Sequence, residues 1–150
     1  MPPTGQAPTK RYYEDIQVGE ALPPLVKPPI THLQLVRYAG ASGDFYPVHT
    51  DPQVGQRIGL GGIIAPGLLI MGFVGQLVSN FVGPTALHSF AARFTGITHL
   101  QDVITCTGTI TDKYEVDGQG HIVGQVQAAD QTGQVKLTGN FVAVMPRRGF

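Results

Sequence analysis

From Ile63 to Val82 the chain runs 20 residues without a formal charge. That length matches what an α-helix needs to cross a bilayer. Pro66, Gln76, Ser79 and Asn80 interrupt the run, three glycines lie within it at Gly67, Gly72 and Gly75, and no Lys or Arg flanks its far end. These features point to a buried helix of a soluble domain. A helix from Pro66 through Val82, about 17 residues, is about 25 Å long at 1.5 Å per residue. It is apolar on nearly every side, so other structure must wrap it. Gly72 and Gly75 each cost about 1 kcal/mol of helix propensity relative to Ala. That cost predicts a sheet packed closely against the face they form.

Around this run the sequence changes period. Ahead of it, Thr31-His32-Leu33-Gln34 has the form of a capping box, which predicts a helix over 32–41. Asp51-Pro52 predicts a second short helix to about Ile58, with Asp as cap and Pro in the first turn. Leu22 to Ile30 holds four prolines and allows at most an irregular edge strand. Behind the run, 86–95, 102–116, 121–129 and 134–144 are rich in Val, Ile and Thr and read as strands. Asp117-Gly118 and Asp130-Gln131-Thr132-Gly133 supply hairpin turns between the last three. The fold class that follows is α+β, a curved antiparallel sheet wrapped around one long central helix. Its 150 residues form one domain, 1–150, with residues 1–10 expected to be flexible.

Charge narrows the function. Ten basic residues balance ten acidic ones with no basic run, which argues against nucleic-acid binding. Only 13% of residues are charged, a low share that points to some surface being covered by another copy. Cys106 is the single cysteine, so no intrachain disulfide forms, and its strand-like surroundings mark it as core. His32, His88, His99 and His121 sit at no metal-ligand spacing, so neither a metal nor another cofactor is expected. The first ten residues lack the apolar stretch of a signal peptide, which gives an expectation of a cytoplasmic protein that is not bound to membranes.

The chemistry concentrates in Tyr38-Ala39-Gly40-Ala41-Ser42-Gly43-Asp44-Phe45-Tyr46-Pro47-Val48-His49. Gly43 and Pro47 stop a helix there, leaving a short rigid loop that presents Asp44 and His49 together. An acid and an imidazole so placed can pass a proton to and from a substrate near neutral pH.

This stretch resembles the signature of the MaoC-like (R)-specific enoyl-CoA hydratase and 3-hydroxyacyl dehydratase family, which has the hot-dog fold. The likeness rests on Tyr38, Ser42-Gly43-Asp44, Pro47-Val48-His49 and Asp51. It continues through Ile64-Ala65-Pro66-Gly67-Leu68-Leu69, the lead-in Tyr12 to Glu20, and Arg93-Phe94. The resemblance implies reversible hydration of a trans-2-enoyl thioester, carried by acyl-CoA or acyl carrier protein, to the (R)-3-hydroxyacyl product. It implies that Asp44 and His49 hold the reacting water and that the Gly67 N–H receives the thioester oxygen. It further implies a homodimer paired through the sheet edge, with a hexamer built as a trimer of dimers also known for the fold. Three positions depart from the family. Tyr46 stands where its Asn is usual, Pro66 where its His is usual, and Gly75 where some members carry a small polar residue. Tyr46 is thus the substrate-side position to watch, and if it fills space near the acyl pocket it predicts short acyl groups. Two alternatives stand beside this reading. One is a non-catalytic acyl-thioester-binding or scaffold subunit of a heteromeric dehydratase. The other is a hot-dog thioesterase, against which stands the lack of any Asp or Glu in Ile63–Val82.

Overall fold

A computed structural model of the chain describes residues 10–149. The expectation of a flexible start therefore falls, apart from Lys10, outside the described residues. After a 3-10 turn at Tyr13–Asp15 come β1 (Leu25–Val26), α1 (His32–Ser42), a second 3-10 turn (Pro47–His49), α2 (Pro52–Arg57) and α3 (Gly67–Val82). Four strands follow: β2 (Leu87–Phe94), β3 (Thr105–Val116), β4 (Gln119–Ala129) and β5 (Val135–Met145). One sheet holds all five strands in the order β1-β3-β4-β5-β2, every neighbour antiparallel. The architecture is the hot-dog one, an α+β layer in which α3 packs on β2, β3, β4 and β5.

The elements follow from their local chemistry. The Thr31 hydroxyl accepts from the Gln34 N–H at 3.1 Å and starts α1. Asp51 does the same for α2 through the Gln53 N–H at 2.8 Å, which makes it a cap. The β3–β4 turn places Asp117 at φ +50° and Gly118 at φ +76°, the left-handed pair that a two-residue hairpin demands. The proline-rich lead-in gives only the two residues of β1, at the sheet edge. The strand expected from Asp102 begins three residues later. His99 to Asp102 instead form a turn, with Gln101 at φ +70° and the Asp102 carboxylate accepting from the His99 N–H at 2.8 Å.

Helix α3 buries Leu69, Ile70, Phe73, Val74, Leu77, Val78, Phe81 and Val82, two residues in every four. Each such side chain contributes about 1.5–3 kcal/mol by leaving water. They join Ile104, just ahead of β3, and Cys106, Ile110, Ile122, Leu137, Phe141 and Ala143 from the sheet in one core. The helix is not wrapped on all sides, however. Leu68, Gly72, Gln76 and Asn80 recur every fourth residue and form an open stripe. Nothing lies within 4 Å of a Cβ built at Gly72, and one at Gly75 would touch only the Phe90 ring at 3.7 Å. The expected close approach of the sheet to that face does not occur. It occurs at the first residue of the helix, where a Cβ on Gly67 would stand 2.9 Å from the Phe94 ring.

Candidate active site

Helix α1 ends because Gly43 takes φ +75°, and its N–H returns to the Ala39 carbonyl at 2.9 Å. The chain leaves the helix at an angle that a residue with a Cβ disfavours. Asp44 then sits in a tight local turn. Its N–H donates to the Ser42 hydroxyl at 3.2 Å, and its Oδ1 accepts from the Tyr46 N–H at 3.2 Å. One carboxylate oxygen is thereby committed to the loop, and Oδ2 remains for chemistry. Pro47 opens the 3-10 turn that carries Val48 into the core and His49 behind it.

The His49 ring is buried to 9% residue exposure and held from a distant segment. Its Nδ1 lies 2.8 Å from the Ile64 carbonyl oxygen. A carbonyl only accepts, so the hydrogen-bond network assigns the proton of the neutral ring to Nδ1 and the lone pair to Nε2. That nitrogen stands 3.6 Å from Asp44 Oδ2. The gap exceeds a direct hydrogen bond, yet both atoms can touch one small molecule placed against them. The side-chain exposures are unequal, 11% for His49 and 46% for Asp44, so solvent reaches the pair from the carboxylate side.

Beyond His49 lies a cavity of about 340 Å³, walled by Ile64, Ala65, Gly67, Leu68, Ile70, Phe94, Gly96, Ile97 and Thr98, with Lys136 behind. It is mostly apolar and at the small end of ligand pockets. Gly67 opens α3 at its wall, and Pro66 before it offers no side-chain cap to the first N–H groups. The amino end of a 16-residue helix, with its partial positive charge, thus faces the cavity without a capping acceptor.

His49 and Gly67 share the cavity wall, and Asp44, absent from that wall, joins them through its 3.6 Å approach to His49. Tyr46 lies at the margin, 60% exposed and absent from the cavity wall, its ring edge-on to His49 with centroids 6.1 Å apart. Among the nearby apolar side chains, Leu68 lines the cavity, Val48 belongs to the core, and Phe45 is exposed. Sequence reasoning quoted Ile64 only within the family likeness and missed its hold on His49, and it missed Thr98 and Lys136 altogether. The available signal was Lys136 itself, a cation inside the otherwise apolar Val135-Lys136-Leu137 of a core strand. Two of the remaining histidines hold backbone carbonyls of distant segments: His32 Nε2 donates to the Thr50 carbonyl and His99 Nε2 to that of Leu60. Burial pushes the Cys106 thiol up to about 11, which keeps it protonated and unreactive in the neutral range.

Comparison with known proteins agrees with this architecture. The MaoC-like domain family matches residues 15–132. An (R)-specific enoyl-CoA hydratase of Rhodospirillum rubrum is 26% identical over 140 residues, covering 92% of this chain and 94% of that protein. An R-hydratase of Pseudomonas aeruginosa in its unliganded form shares the fold, with a TM-score of 0.81, 21% identity, and coverage of 91% of this chain and 86% of the other. A chain in the ChsH1–ChsH2 complex of Mycobacterium tuberculosis superposes with a TM-score of 0.74 at 26% identity, covering 86% of this chain and 98% of its own. The family match spans most of the sequence, and the chain belongs to the MaoC-like hot-dog family, a relationship that supports hydratase or dehydratase activity at the level of that family.

Proposed function

We propose that this protein reversibly hydrates a trans-2-enoyl thioester to the (R)-3-hydroxyacyl thioester, with Asp44 and His49 as its acid–base pair. The observation that carries the reading is the pairing of His49 Nε2 with Asp44 Oδ2 at 3.6 Å beside the uncapped start of α3. Water held by both groups gives its proton to His49 Nε2 as its oxygen bonds to Cβ of the enoyl group. Asp44 orients that water, and the proton taken up at Nε2 crosses to Asp44 Oδ2 and from there reaches Cα. The pair takes one proton and returns one, so it ends as it began and works as a coupled unit.

Negative charge that develops on the thioester oxygen meets the Gly67 N–H at the positive end of α3. A donor of this kind contributes about 3–4 kcal/mol to the transition state. The cavity of about 340 Å³ favours a short acyl group. Tyr46 acts at its mouth rather than on its wall. Acyl-CoA or acyl carrier protein delivers the substrate in the cytoplasm, and no helix among the described residues is long and apolar enough to cross a membrane. The working unit is a homodimer joined along the free edge of β2.

The test is turnover of crotonyl-CoA, followed as loss of enoyl absorbance, with chiral analysis of the product. Wild type is expected to give only the (R)-3-hydroxy thioester. Asp44→Asn and His49→Ala are each expected to lose 10²-fold or more in kcat, on the order of general acid–base effects. A folded protein that turns over neither crotonyl-CoA nor longer enoyl-CoAs would replace this reading with that of an acyl-carrier-linked dehydratase or a binding subunit.

A further inference from the structure

Lys136 is the one buried Lys or Arg among the described residues, 3% exposed, and the acid–base chemistry above does not use it. Its ammonium donates to Asp130 Oδ2 at 2.9 Å, Gln134 Oε1 at 2.7 Å and the Ile97 carbonyl at 2.7 Å, and Asp102 Oδ2 lies 3.9 Å away. Three donors meet three acceptors. A carboxylate partner accounts for the charge of a buried ammonium. It does not account for the bond to Ile97, a backbone group on the segment 95–99 that walls the cavity.

That segment has an unusual set of supports. Lys136 holds it twice, through the ammonium on Ile97 and through its own carbonyl, which accepts from the Thr95 N–H at 2.9 Å and the Gly96 N–H at 3.3 Å. On its other side the segment meets the strand-like piece 63–65. The Thr98 carbonyl accepts from the Ala65 N–H at 2.8 Å, and His99 bridges Ile64 antiparallel. The Ile64 carbonyl in turn holds His49 Nδ1 at 2.8 Å. Thr98 lends no side-chain anchor of its own, since its buried hydroxyl has no hydrogen-bond partner. The Ile64 carbonyl that orients the imidazole is thus held on one side by the Ile64 N–H on the Val48 carbonyl at 3.1 Å and on the other by backbone rungs whose far support is Lys136.

We propose that Lys136 is a positioning residue for His49: its ammonium, bonded to the Ile97 carbonyl, fixes segment 95–99 and through it the Ile64 carbonyl that orients the ring. The kinetic part of this proposal rests on the hydratase reading, and the spectroscopic part does not. A merely structural Lys136 would serve only to neutralise Asp130 and Asp102.

Two measurements separate these roles. In the unaltered protein, NMR should detect a scalar coupling across the hydrogen bond between the Lys136 Nζ nitrogen and the Ile97 carbonyl carbon. Absence of that coupling, with the ammonium resonance visible, overturns the proposal. The second measurement uses Lys136→Met/Asp130→Asn, which removes the cation together with its nearest anion, beside Lys136→Met alone. The double variant is expected to melt close to wild type. Its His49 ring-nitrogen shifts should move toward a mixture of tautomers, and kcat on crotonyl-CoA should fall about 10- to 100-fold with KM little changed, the scale of a small misplacement of a catalytic group. A double variant with wild-type His49 shifts and wild-type kcat reduces Lys136 to charge compensation. If neither variant folds, the coupling in the unaltered protein decides. If the wild type does not turn over enoyl thioesters, the hydratase reading fails and the ring-nitrogen shifts still decide the placement of His49.

Discussion

Asp44 is oriented by its own loop and His49 by a segment 15 residues away. A change near either one should therefore move them independently. Gly67 is the sharper case. A methyl added there would stand 2.9 Å from the Phe94 ring, which is half exposed and free to swing aside. Gly67→Ala is expected to melt near wild type yet lose about 10- to 100-fold in kcat/KM on crotonyl-CoA, because the displaced ring crowds the position where the thioester must sit. Thermal melts and steady-state kinetics on one preparation check both halves. A second expectation concerns pH. Hydrogen bonds from the Thr132 hydroxyl first and the Lys136 ammonium next hold the Asp130 carboxyl well below the usual carboxylate range. A depressed native value contributes stability that is complete above the unfolded value, about 3.9, and is lost as pH falls toward the native one. The gap in unfolding free energy between wild type and Asp130→Asn should thus stay flat from pH 5 to 8, a window set by that linkage, and close below about pH 4. Denaturant titrations across that range measure it. At this scale the sequence exposed Asp44 and His49 because one short loop carries both. It did not expose the hold of Ile64 on His49, nor Thr98 or Lys136, because these reach the candidate site through contacts between segments far apart in the chain.

Elements were legible where local chemistry decides them. Thr31 and Asp51 cap the helices they were expected to cap, and Asp117-Gly118 turns the hairpin it was expected to turn. The sequence misled where packing decides. An uncharged run suggested a helix enclosed on every side, whereas α3 turns its paired rows to the sheet and leaves Leu68, Gly72, Gln76 and Asn80 open. Composition records how apolar a helix is and cannot say which of its faces finds a partner within one chain. The buried rows nonetheless dominate its stability. Leu77, 2% exposed at the middle of α3, should cost about 2–5 kcal/mol on replacement by Ala, read from chemical denaturation. Val36, exposed on α1, should cost well under 1 kcal/mol on the same change.

At the scale of the whole molecule, the described residues leave the outer side of β2 as a long unpaired margin of the sheet. β2 bonds only to β5, and its outer side carries no strand among the described residues. Phe45, Tyr46, Leu68, Phe94 and Ile97 stay exposed in the vicinity of the candidate site. A long open edge next to exposed apolar groups is a surface that folded chains rarely leave to water. Sedimentation equilibrium is expected to return twice the chain mass at micromolar concentration, and a monomer throughout would set the homodimer aside.

The bond from Lys136 to Ile97 joins residues 39 positions apart, and it waits on the β2–β5 pairing that brings the two segments together. Contacts of such separation form only after a large loop has been closed, which slows the folding of sheet-rich chains. On the reading that Lys136 anchors His49, that anchoring is expected to follow α1, α3 and the β3–β4 hairpin, whose contacts are local, during refolding or synthesis. Recovery of activity should lag recovery of helix signal in a refolding time course, so that a chain with most of its secondary structure in place is still without a working histidine.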